Sequence, residues 1–465
     1  MTTQTALLKL KNAFRSNYAI IGILIGVALV SLSIGPFQNP DTTWEYKAAT
    51  GVLTWGMPFT EVRGSMINQP PLGFYAEGLF LWVFGVSIQT GTVLITLFGL
   101  GCTLLVYAIG STLYGKKTGL VAAALFALTP WQLVLSNSFL IDTQCLFLSL
   151  CALYVGILAF RGNSNKLLAI SGALFALAFY TKLFAVFTLI PLLLFYLYYQ
   201  HRNLRRLPVT LAIFFVPLAL ATLVWYTVDY YMMPSWLPSG LGYMFVHSDF
   251  GDLNAPGVVP SYGFISTFLL DHALGYFFVA AAALSLIIGF VFRKQLSKQF
   301  ASYDAILLVP ILVIVGLTMY LGVALNLKVP YTSAVKYIYQ TLPFFSLAAA
   351  SLAVKSASMI KSTQTNLTKK TVFALTGVVG FGLVLAALLA NMYAANQLSM
   401  SPFIIFQVQL GQLLGYSFDN AAIAAGSPLL ILQYLGFGLI LLSLIHPNRR
   451  FIVDSAKRLF EARKK

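Results

Sequence analysis

Charge is what this chain has least of. Only 9% of its 465 residues are charged, and acids are the rarer kind, 13 against 29 Lys and Arg. Soluble domains ordinarily carry about 25% charged residues, so a water-soluble fold is excluded. Cysteine is scarcer still. Cys102, Cys145 and Cys151 all sit inside apolar runs, which excludes a disulfide framework and cysteine-based zinc spacing. The 4 histidines, His247 and His272 among them, show no ligand-like spacing, so the sequence indicates no metal or other cofactor and leaves a divalent ion open. Asp249-Phe250-Gly251 spells a kinase tripeptide, yet no nucleotide loop accompanies it.

What is present instead is apolar: 59% of the residues are hydrophobic and mean hydropathy is +0.83. Runs of roughly 17–25 apolar residues recur, each able to cross a bilayer core of about 30 Å. The fold class is an all-α polytopic membrane protein. Its spans are expected near 16–35, 90–113, 119–135, 143–160, 166–180, 183–199, 208–228, 273–292, 304–325, 335–354, 371–392 and 428–446. That makes about twelve. The first run follows Lys9, Lys11 and Arg15 as in a signal peptide. It is longer than a typical signal core and has no A-x-A-like cleavage site, so it reads as a retained anchor.

The run from Leu72 to Phe84 invites a thirteenth crossing, and charge forbids it. Counting it would invert every later loop and carry the Lys-rich loops outside. Read as a re-entrant or surface-lying helix, it leaves all but five of the 29 Lys and Arg on the inner side. The five are Lys47, Arg63, Lys182, Lys328 and Lys336. This is a strong positive-inside pattern, and it accounts for the net charge of +16 without nucleic acid as a partner. Both termini are then cytoplasmic, and most acids fall outside. Residues 1–354, with outer loops 36–89 and 229–272, read as one catalytic membrane module. Residues 355–465 read as further membrane helices and a basic tail.

Within the first outer loop, Asp41 and Glu45 stand at i and i+4 and share one face if the segment is helical. Trp44, Tyr46 and Tyr75 surround them in sequence, and Pro70-Pro71 imposes an extended entry into the next apolar run. Asp142 opens a later span. It is either a helix N-cap or a functional acid, since an acid near hydrocarbon costs roughly 2.5–3.5 kcal/mol at a helix centre. Lys182 and Lys336-Tyr337 stand at span ends. They are either snorkelling side chains or an anion site, for a phosphate among others. A plain hydrophilic loop remains the alternative for the whole 40–75 stretch.

In order along the chain, Pro40-Asp41 with Tyr46, Pro70-Pro71-Leu72, Leu140-Ile141-Asp142, Thr181-Lys182 and Lys336-Tyr337 with Leu342-Pro343 resemble the motifs of a known family. The pattern is similar to that of the GT-C membrane glycosyltransferases, in particular the protein O-mannosyltransferase and aminoarabinose transferase group. It covers roughly residues 15–350. Departures are Thr42 where the family often has Glu, Gln69 before the Pro-Pro pair, and Lys336 where Arg is common. The resemblance implies a GT-C-like helical bundle with juxtamembrane helices in the first outer loop. It implies inverting transfer of one sugar from a polyprenyl or dolichyl monophosphate to a protein or lipid acceptor, on the outer face of the plasma membrane. On that reading Asp41 is the base, with Asp142 and Glu45 as further catalytic acids. Lys182, Lys336 and Tyr337 hold the donor phosphate, and Trp44, Tyr46, Pro70, Pro71 and Tyr75 shape the cavity. The rival from another class is a transporter or lipid flippase, which calls for ionisable residues at the bilayer midplane rather than at span ends.

Overall fold

The computed structural model describes residues 18–34, 36, 40–61, 69–232, 258–260, 303–314, 328–330 and 339–362. Expected spans 273–292, 371–392 and 428–446, most of the loop 229–272, and the tail beyond residue 362 lie outside the described residues. The first helices are α1 (Tyr18–Ile34), α2 (Pro40–Trp55) and α3 (Leu72–Phe84). Then come α4 (Ile88–Tyr114), α5 (Lys116–Leu128), α6 (Pro130–Ser136), α7 (Ile141–Gly162) and α8 (Asn165–Thr181). A 3-10 turn (Leu183–Thr188) leads into α9 (Leu189–Gln200), and a second (His201–Arg206) into α10 (Leu207–Met232). Two further helices are described, α11 (Tyr303–Ile314) and α12 (Leu342–Ser362). Besides helix, the described residues include one short antiparallel pair, Val258–Pro260 with Lys328–Pro330, in which Val259 faces Val329.

Four of the described helical segments are long and apolar enough to cross a membrane: Ile88–Tyr114, Ile141–Gly162, Leu183–Gln200 and Leu204–Val228. The expected span 119–135 is instead two helices. Pro130 has no N–H to continue the ladder, so α5 ends at Leu128, Thr129 bonds back to the Phe126 carbonyl, and α6 starts afresh. At 183–199 the chain opens with a 3-10 turn before α9 forms. Of the expected span 335–354, residues 335–338 lie outside the described residues, and α12 begins at Leu342.

Local signals set the ends. Ser87 accepts the Thr90 N–H at 3.0 Å and caps α4, a contact typically worth about 1 kcal/mol. Asn163 takes a left-handed conformation (φ 48°), which lets α7 turn back at once into α8, capped by Ser164. That tight reversal makes α7 and α8 an antiparallel pair. Buried Leu146, Leu150, Leu153 and Ile157 of α7 meet Phe175 and Ala178 of α8 in the main core, which Leu347, Ala348 and Ala350 of α12 complete.

The chain's charges separate along this bundle. At one end sit Lys116 and Lys117, Arg161, Lys166, Arg205 and Arg206. Here the buried Asp304 carboxylate accepts from Tyr114 (2.6 Å), Ser351 (2.9 Å) and the Lys355 ammonium, tying α4, α11 and α12 together. The opposite end carries α2, α3, the start of α7 and the end of α8. Both ends of α3 belong there, because Gly73 packs on Ile141 and Thr181, while Gly91, one turn into α4, packs on Phe139. Thirteen residues of α3 span about 20 Å, too short for a bilayer core of about 30 Å.

Candidate active site

Three helix ends converge at the acidic end of the bundle. Helix α2 starts on Pro40, whose missing N–H costs nothing at a first helical position. Helicity puts Asp41 and Glu45 one turn apart on one face, with Asp41 half-buried and Glu45 buried. Helix α7 begins at Ile141 after Leu140, an N-cap with no side chain able to accept a bond. Glu45 supplies that acceptor from another helix. Its carboxylate takes the Ile141 N–H at 2.8 Å, where the helix dipole favours negative charge.

Asp142 is the second residue of α7, so the N-cap reading of this residue does not apply. Its carboxylate instead meets the Lys182 ammonium at 2.8 Å, with side chains only 2% and 5% exposed. Lys182 is positioned by the break between α8 and the 3-10 turn, where its backbone is extended and its N–H bonds back to Ala178. The Lys182 carbonyl in turn accepts from the Cys145 thiol at 3.6 Å. Two ions this deep are stable only as a pair, because each alone would forfeit its hydration with nothing in return. Lys182 is therefore matched to Asp142 rather than standing as a bare cation.

Residues 69–84 pack against the helices that carry this pair. Pro70 and Pro71 are buried, and α3 leaves them directly. A Cβ on Gly73 would stand 2.7 Å from the Ile141 side chain and 3.3 Å from that of Thr181, so only glycine lets α3 approach so closely. Tyr75 donates to the Gly56 carbonyl at 2.8 Å, which folds residues 56–59 back beneath α3. Tyr46 meets Phe139 edge to face at 5.6 Å. Trp44 is 45% exposed and carries the Lys47 ammonium 4.8 Å over its ring, while Lys47 pairs with Glu61. Lys336 and Tyr337 lie outside the described residues. Two residues further on, Tyr339 donates to Gln132 at 2.6 Å beside Thr143, and Gln340 reaches the Cys145 sulfur at 3.7 Å. The segment after Tyr337 thus packs on the helix that carries Asp142.

Sequence reading missed two features. Glu77 of α3 is fully buried, and neither of its carboxylate oxygens has a hydrogen-bond partner. Burial and then the neighbouring Glu45 charge push its carboxyl well above the usual range, which favours the protonated acid. Gln144, two residues past Asp142, likewise keeps a buried carbonyl oxygen without a partner. The signal for Glu77 was present, one acid in the otherwise apolar run Leu72–Phe84, but no local rule shows that α2 brings Glu45 beside it. Among the described residues no group of three or more His, Cys, Asp or Glu could hold a metal.

Membrane-length helices with one buried acid–base pair, Asp142–Lys182, at the acidic end and another, Asp304–Lys355, at the basic end describe a polytopic membrane protein. Comparison with known proteins narrows the class. Residues 68–226 match the family described as dolichyl-phosphate-mannose-protein mannosyltransferase. Two proteins of Bacillus subtilis (strain 168), YycA and YkcB, both named provisionally as mannosyltransferases, are 27% identical over 199 residues and 25% over 216. Those matches cover 41% and 44% of this chain but only 29% and 30% of the relatives, so under a third of each relative's length is spanned. Among solved structures, ArnT from Cupriavidus metallidurans in the apo state superposes with a TM-score of 0.54 at 12% identity, covering 92% of this chain and 76% of ArnT. The Archaeoglobus fulgidus oligosaccharyltransferase gives 0.54 at 14% identity, covering 79% of this chain and 55% of that one. These findings agree on the GT-C glycosyltransferases as the family this chain resembles in both sequence and fold.

Proposed function

We propose that this protein is a membrane glycosyltransferase that moves one sugar, with inversion, from a polyprenyl or dolichyl monophosphate to a hydroxyl of a protein or lipid acceptor. The reaction takes place at the acidic end of the bundle, on the extracytoplasmic face of the plasma membrane, with both termini in the cytoplasm. The observation that carries this reading is the buried Asp142–Lys182 pair, set beside the Glu45-capped start of α7 within the segment that matches the mannosyltransferase family. Support for the donor class comes from ArnT, also solved bound to undecaprenyl phosphate and superposing with a TM-score of 0.53 at 13% identity.

Asp41 is the general base. It takes the proton of the acceptor hydroxyl as that oxygen bonds to the anomeric carbon, and the bond from that carbon to the donor phosphate oxygen breaks. A lipid monophosphate leaves. Lys182, with Lys336 and Tyr337, stabilises the charge that collects on this phosphate, and Lys182 does so by sharing its ammonium between the phosphate and Asp142. Asp142 also orients the acceptor. Glu45 keeps Asp142 in place through the α7 N-terminus and is the second candidate acid. Trp44, Tyr46, Pro70, Pro71 and Tyr75 shape the cavity, and the apolar face of α3 guides the lipid tail.

The test is to incubate purified protein with a panel of polyprenyl-phosphate sugars and follow release of lipid phosphate. One donor should turn over. Asp41→Asn keeps the shape without basicity, so it should lower turnover by about 10²-fold or more while donor binding changes little. Near-normal transfer by Asp41→Asn would remove Asp41 as base. Absence of turnover with every donor, alongside ordinary folding, would count against glycosyl transfer itself.

A further inference from the structure

Lys182 touches α7 at two places, and the reaction proposed above uses one of them. Asp142 and Cys145 stand three residues apart on α7, so they share a face about one turn apart. The Lys182 ammonium reaches the Asp142 carboxylate at 2.8 Å, while the Lys182 carbonyl accepts from the Cys145 thiol at 3.6 Å. Cys145 is fully buried, and its sulfur in turn accepts from the Gln340 carboxamide at 3.7 Å. One sulfur thus joins α7, the break after α8, and the residues that lead into α12. Tyr339, next to Gln340, is anchored on Gln132 at 2.6 Å.

The bond to Cys145 is not required to satisfy the backbone at the break. The Lys182 carbonyl also accepts the Ala185 N–H at 3.1 Å, and the Lys182 N–H bonds back to Ala178 at 2.9 Å. Those two bonds run within the local chain, so they shape the break without fixing its place against α7. The ion pair alone fixes it loosely, because a lysine stem is flexible and keeps its partner while the backbone shifts. A second contact, made by the carbonyl to the same face of α7, removes that freedom.

We infer that Cys145, held by Gln340, is a positioning residue for Lys182. It sets the backbone from which the ammonium reaches Asp142 and, if the proposed reaction holds, the leaving phosphate. Small displacements matter at such a place, since about 1 Å of misplacement can lower a rate by about 10²-fold. A thiol is a weak donor and its bond is neutral, so losing it should be felt as a factor of about three.

The test uses Cys145→Val, which keeps an apolar group of similar size and removes both sulfur contacts, beside Cys145→Ala, which also leaves a void. The ion pair reports on the positioning without any substrate. Asp142→Asn and Lys182→Met, singly and together, give its coupling from melting curves of the full chain in detergent, read through buried Cys102. In the Cys145→Val background that coupling should shrink by about 1 °C or more. An equal coupling in the two backgrounds would overturn the inference, whatever the substrate. With a donor that turns over, Cys145→Val should lower kcat by about threefold, leave the acceptor KM unchanged, and melt near the wild type. Gln340→Met, which removes one of the two contacts, should show a smaller loss of the same kind. If packing were the whole role, Cys145→Val would restore the kcat that Cys145→Ala loses, and that result would also overturn the inference. Absence of turnover with every donor would sink the proposed reaction, and the coupling measurement would still decide the positioning.

Discussion

Replacing Asp142 by Asn would leave the Lys182 ammonium in a buried site with no counter-charge. At 2.8 Å and an effective dielectric constant of about 20, the pair attracts by about 6 kcal/mol. Withdrawing each ion from water costs several kcal/mol, so the intact pair is close to break-even. Removing one partner keeps the cost for the other and cancels the attraction, a loss of about 3–5 kcal/mol. Lys182→Met should lose a similar amount. The double variant, Asp142→Asn with Lys182→Met, buries no charge and should recover about 2 kcal/mol or more relative to the sum of the single losses. Cys102 and Cys145 are free and buried, so a thiol-reactive dye reports unfolding during a thermal ramp in detergent. Each single variant should melt several degrees below the wild type, with the double variant above that trend. Additive losses below about 1 kcal/mol per variant are what a solvent-exposed pair gives, and would refute the burial argument.

Two further outcomes follow from the same end of the bundle. The Glu77 carboxyl is raised above its ordinary value in the folded protein, so folding holds its proton more tightly than the unfolded chain does. Stability should therefore be greatest below the ordinary glutamate range and fall as pH rises through the shifted value; Glu77→Gln should flatten that fall when melting is followed against pH, and an unchanged slope would contradict it. Glu45→Ala orphans the Ile141 N–H, whereas Glu45→Gln keeps an acceptor and loses only the charge. Melting curves should thus place Glu45→Ala about 1 kcal/mol below Glu45→Gln, and equal losses would show that the cap contributes nothing.

Much of the site's outline was legible in the chain because it rests on local rules. Asp41 and Glu45 share a face once Pro40 starts a helix, and helix spacing is a property of four consecutive residues. Pro70-Pro71 delimits α3 for a similar reason. Other steps were out of reach. The bond from Glu45 to Ile141 joins residues 96 apart and the Asp142–Lys182 pair residues 40 apart. Only the approach of α2 and α3 buries Glu77 beside Glu45.

Hydropathy and charge by themselves determined that this chain is a helical membrane protein, and the sorting of Lys and Arg between loops separated a basic end from an acidic one. Both are sums over many residues, so they survive without knowledge of any contact. Which faces of the helices meet was decided only by the tertiary structure. In water a helix buries its apolar stripe, and the stripe is visible in the sequence. In lipid both faces are apolar: Leu220 and Leu223 of α10 are exposed, Leu146 and Leu150 of α7 are buried, and composition does not tell them apart. Packing of close surfaces and pairing of rare polar groups choose the faces instead. For that reason Lys182 came to neutralise Asp142, and Glu77 to lie buried beside Glu45, only once the helices were assembled.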